Sequence, residues 1–94
     1  GNNSSEWKRY DGKQYVWRAT VIEEAEDTDR MGMIVASNDI VIIAYFSNTI
    51  FYKEALKLKR GSLITIQGEI RMPWGENPKF GVRLIKCRVW ADQP

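Results

Sequence analysis

The sequence predicts an all-β domain: five strands closed into a small barrel, with one short helix between the third and fourth. Three observations predict it. Residues 62–71 alternate apolar and polar side chains, with Ile64, Ile66 and Ile70 on one face and Gly68 in the slot where another apolar residue would fall. A glycine there lets a strand bend sharply or accept a close neighbour, as strands do at the corner of a small closed barrel. Four further runs alternate with the same period of two and are bounded by turn-forming residues. Only Thr49 to Leu58 carries helical spacing, with Phe51, Ala55 and Leu58 at i, i+4 and i+7.

Before the barrel, residues 1–12 are rich in Asn and Ser and end on Asp11-Gly12, which reads as an arm and a turn. Trp7 and Tyr10 within it are expected to fold the arm back onto the domain. The first strand, Gln14 to Glu23, is expected to place Trp17, Ala19 and Val21 in the core. Glu23 to Arg30 is an acidic connection without apolar period. Asp27, Asp29 and Gly32 match part of a calcium-loop spacing, but Met31 and Asn38 stand where further ligands belong, so a solvated loop is expected.

Met31 to Ala36 and Asp39 to Phe46 form a hairpin around Ser37-Asn38-Asp39. Its second strand is apolar on both faces. Ile42, Ala44 and Phe46 are assigned inward; Val41, Ile43 and Tyr45 then need a cover, either the arm, a partner chain or a flat ligand. Thr49 is the expected helix cap. Arg71 to Phe80, with two prolines and a glycine, reads as a loop carrying Trp74, Lys79 and Phe80. The last strand, Gly81 to Trp90, alternates through Val82 and Leu84, then through Cys87 and Val89, so a bulge is expected near Ile85-Lys86. Residues 91–94 are a tail.

Ninety-four residues make one domain, and the proportions of 44% hydrophobic and 28% charged residues are those of a water-soluble globular chain. No apolar run approaches the roughly 20 residues that cross a bilayer, so no membrane role is expected. The single cysteine, Cys87, excludes an internal disulfide, and the absence of histidine removes the usual general base and most metal chemistry. Neither catalysis nor a cofactor is therefore expected. Charge is uneven: residues 1–50 carry five Lys/Arg against eight Asp/Glu, whereas residues 51–94 carry nine against four. The second half holds the positive field that a polyanion would meet.

Tyr45-Phe46 closing the third strand, Lys59-Arg60-Gly61-Ser62 opening the fourth, Ile64-x-Ile66-x-Gly68-x-Ile70 within it and Val82-x-Leu84-x-x-Cys87-x-Val89 in the fifth give the chain a resemblance. Over residues 13–90 it resembles the oligonucleotide/oligosaccharide-binding (OB) fold, a five-stranded Greek-key barrel, and within it the anticodon-like and single-strand-binding branches. The resemblance implies a nucleic-acid-binding module, most simply for single-stranded DNA with little base selectivity. Residues that fit the chemistry of base stacking and backbone contact are Arg71, Trp74, Lys79, Phe80, Arg83, Lys86 and Arg88, extended by Tyr45 and by Met31 and Met33 if the outer faces of the second and third strands join in. The chain departs from many such barrels in having Ala19 in place of a first-strand glycine, and an acidic first loop. The alternative expectation is a protein-interaction module, docking a partner or a second copy through the third strand.

Overall fold

The computed structural model describes residues 10–71 and 81–92. Its elements are β1 (Gln14–Glu23), β2 (Gly32–Ser37), β3 (Ile40–Tyr45), α1 (Thr49–Leu56), β4 (Leu63–Arg71) and β5 (Val82–Ala91). The strands close into a barrel in the order β1-β2-β3-β5-β4, with β4 returning to β1. All neighbours are antiparallel except β3 and β5, which run parallel over Ile42–Ala44 and Val82–Leu84. A closed mostly-β barrel with its helix between the third and fourth strands is the predicted class, and the architecture is compatible with an OB-like fold.

The core follows the alternation. Ile42, Ile64, Ile66, Ile70 and Leu84 are fully buried, each such side chain contributing about 1.5–3 kcal/mol relative to exposure. Ala19 and Val21 are buried as expected, but Trp17 is only half-buried, stacked on Tyr15 with ring centres 5.4 Å apart. Tyr10 meets Tyr15 edge-on at 5.7 Å and packs against the core, so this part of the arm does fold back; Trp7 lies outside the described residues.

Two glycines admit close neighbours. Gly68 lies opposite the expected bulge: Gln67 pairs with Arg88 and Glu69 with Ile85, so two residues of β5, Lys86 and Cys87, stand opposite the single Gly68, and Lys86 takes a φ of 54°. A Cβ on Gly68 would stand 2.8 Å from Cys87 Sγ. Gly81, at φ 142°, brings β5 alongside β3, and a Cβ there would stand 2.9 Å from the Val41 carbonyl oxygen.

Two further expectations need correction. Met33 faces inward and is 3% exposed, because it pairs with the buried Ala44; Ile34 takes the outer position. The helix cap is Asn48, not Thr49: its Oδ1 accepts from the amides of Ile50 (2.9 Å) and Phe51 (3.1 Å). With the start set there, Tyr52 and Ala55 form the buried face, Phe51 is half-buried, and the helix ends at Leu56, so Leu58 reaches the core from beyond it. Arg71, where the expected strand 62–71 meets the expected loop, is the last residue of β4.

Candidate functional site

β5 carries three of the predicted contact residues, Arg83, Lys86 and Arg88, and its bulge decides where they point. Val82, Leu84, Cys87 and Val89 are buried. The one-residue slip at Lys86 leaves Arg83, Ile85, Lys86, Arg88 and Trp90 outside that set, Lys86 and Arg88 exposed and Arg83 half-buried. From Arg83 to Arg88 the strand covers roughly 16 Å, so these cations belong to different ends of the barrel surface.

At one end, the register brings Arg71, Arg83, Ile43 and Ile34 into one lateral row across four strands. Arg71 pairs with Arg83, Arg83 with Ile43, and Ile43 with Ile34. Arg71 is held by Glu69 at 3.0 Å. Beside the row, Tyr45 pairs with Gly32, and its ring lies against that bare backbone: a Cβ on Gly32 would fall 3.5 Å from the ring. Val41, Ile43 and Tyr45 are each 37–38% exposed, an apolar strip along the outside of β3. Trp74, Lys79 and Phe80 lie outside the described residues.

The strip continues into a cleft of about 800 Å³ beneath the acidic connection. Ile34, Ile43 and Tyr45 line it, with Glu23, Glu24 and Glu26 on one rim and Arg30 and Arg60 also contributing. This connection is tied down rather than loose. Glu24 Oε2 accepts from the Arg60 amide at 3.0 Å, and the Tyr52 hydroxyl donates to the Glu26 carbonyl while lying 3.3 Å from that of Gly32. Burial pushes the Tyr52 phenol above its ordinary range, which keeps it a donor. Met31, at φ 47°, closes the connection, its carbonyl accepting from the Phe46 amide at 2.8 Å.

At the other end of β5, the Arg88 guanidinium lies 4.7 Å from the centre of the Phe51 ring and 4.9 Å from that of Trp90. The sequence reading passed over Trp90 and Phe51 as partners of Arg88. Trp90 follows Arg88 by two residues, so it had to share that face once the bulge was placed. A second network, Arg18 Nη2 to Asp92 at 2.7 Å with the Thr65 hydroxyl donating to the same carboxylate at 2.9 Å, ties β1, β4 and the end of β5 together. These bonds, led by that from Arg18, hold the Asp92 carboxyl below the ordinary carboxylate range.

Among the described residues no three Asp, Glu or Cys side chains gather to hold a metal, and no helix is long and apolar enough to cross a membrane. A scan against protein-family models gives no match, and a search of curated proteins gives none either.

Proposed function

We propose that the chain is a single-strand nucleic-acid-binding module, whose contact surface runs along the outside of β5 and onto β3. One observation carries this reading: the register that sets Arg83 between Arg71 and Ile43, one step from the exposed Tyr45 ring. Tyr45 supplies a face for base stacking, Arg71, Arg83 and Lys86 supply backbone contacts, and Trp74, Lys79 and Phe80 in the adjoining segment would add to both. The acidic rim of Glu23, Glu24 and Glu26 closes the other side to phosphate, so the strand is short and enters from β5. The OB-like barrel of the nucleic-acid-binding branches is the corresponding family reading.

The test is fluorescence anisotropy of a labelled oligothymidylate over a salt series. Three neutralised phosphates predict a slope of log affinity against log salt of roughly −2. Absence of salt-sensitive binding at micromolar protein rejects the proposal.

A second reading, a protein-interaction module, is favoured by the branched side chains Val41 and Ile43, which offer apolar area and no stacking surface. Under it, the unmodified chain shows no salt-sensitive binding of oligothymidylate, and Ile43→Asp abolishes binding to a partner or a second copy.

A further inference from the structure

The groove between α1 and the C-terminal half of β5 is apart from the β3 face. It encloses about 530 Å³. Ile50, Phe51 and Leu58 wall one side, Val89 and Trp90 the other, and Arg88 lies between Phe51 and Trp90. Ile50 is 69% exposed and Trp90 37%, so the groove's lips are apolar and face solvent.

Arg88 is the uncommitted charge of this groove. Glu54, on the same wall, is taken by Lys57 at 3.2 Å, and the ion pairs of the described residues do not include Arg88. Two aromatic rings already restrain its guanidinium, so an incoming anion orders little that is not ordered, and the apolar walls strengthen the charge it meets. A planar fork held this way matches the two oxygens of a carboxylate.

We propose that this groove docks an acidic, apolar segment of a partner protein. A carboxylate takes the outer edge of Arg88, and a neighbouring aliphatic or aromatic side chain lies between Ile50 and Trp90. Charge and surface together select this occupant over a nucleic-acid strand. A phosphate backbone needs cations repeated along a track, whereas of the two cations lining the groove Lys57 is paired with Glu54 at its edge, which leaves Arg88 among apolar walls.

The test titrates the ¹⁵N-labelled chain separately with a short peptide of Asp, Glu, Leu and Phe, the same peptide with Lys for each acid, and an oligothymidylate. The acidic peptide is expected to shift the Trp90 indole N–H and the amides of Leu58 and Val89. Arg88→Gln weakens it about tenfold, and Arg88→Lys, which keeps the charge without the fork, recovers only part of the loss. Thermal unfolding of both variants reports that the fold is intact. Equal binding by Arg88→Gln, a preference of these residues for the basic peptide or the oligonucleotide, or no response to the acidic peptide at millimolar concentration overturns the proposal. Oligothymidylate binding at Arg83 and Tyr45 is read out in the same spectra and is independent of the outcome.

Discussion

Cys87 Sγ occupies the space that a side chain on Gly68 would need: a Cβ at position 68 would stand 2.8 Å from that sulfur, 3.1 Å from Leu84 Cβ and 3.2 Å from the Ile85 carbonyl oxygen. The bulge that turns Lys86 and Arg88 outward is therefore seated on the missing side chain of β4. Gly68→Ala is expected to destabilise the barrel by about 1–3 kcal/mol through overpacking, measured by urea unfolding. Adding Cys87→Ala relieves only the sulfur contact, so a full rescue would show that Leu84 and Ile85 do not matter at this crossing.

The same burial governs Cys87 chemistry. It pushes the thiol up to about 12, whereas the unfolded chain ionises near 9. The folded state thus holds a proton that the unfolded state releases in that window. Stability from this group is fully present below pH 9 and is lost as pH rises towards 12. Urea midpoints should fall from about pH 8 to about pH 10, and fall less in Cys87→Ala. At neutral pH, maleimide labelling of Cys87 should proceed only as fast as the barrel opens.

Tyr52 connects the helix to the acidic rim through the Glu26 carbonyl. Tyr52→Phe removes that donor and is expected to cost about 1–2 kcal/mol. Hydrogen exchange at Thr28 and Met31 should accelerate more than exchange in β4. Uniform acceleration would mean that the tether stabilises the whole barrel without restraining the rim.

Asn48 satisfies two amides at the start of α1. Asn48→Ala should cost about 1 kcal/mol, and Thr49→Ala much less, as read from thermal unfolding of the two variants.

How far the sequence went depends on the kind of information each feature needs. Period alone separated Ile64, Ile66 and Ile70 from their outward neighbours, and the break in period between Leu84 and Cys87 located the bulge. Period cannot choose a face where both are apolar, and Met33 was misassigned for that reason; its pairing with Ala44 is a property of register. Asn48 and Thr49 are both good caps by residue type, and only the backbone at Asn48, extended at φ −110°, ψ 119°, separates them. The candidate site was legible as a list of cations and aromatics but not as places. Arg71 and Arg83 meet through strand pairing, whereas Arg88 joins Phe51 through a helix distant in sequence.

The most direct measurement of the proposed activity is a map of backbone and indole shifts on titrating the ¹⁵N-labelled chain with oligothymidylate. Salt-sensitive shifts at Arg71, Arg83, Lys86 and Tyr45, with none around Glu23 and Glu26, are the result this account predicts. Shifts confined to the acidic rim, or no shifts at all with millimolar oligonucleotide, would contradict it.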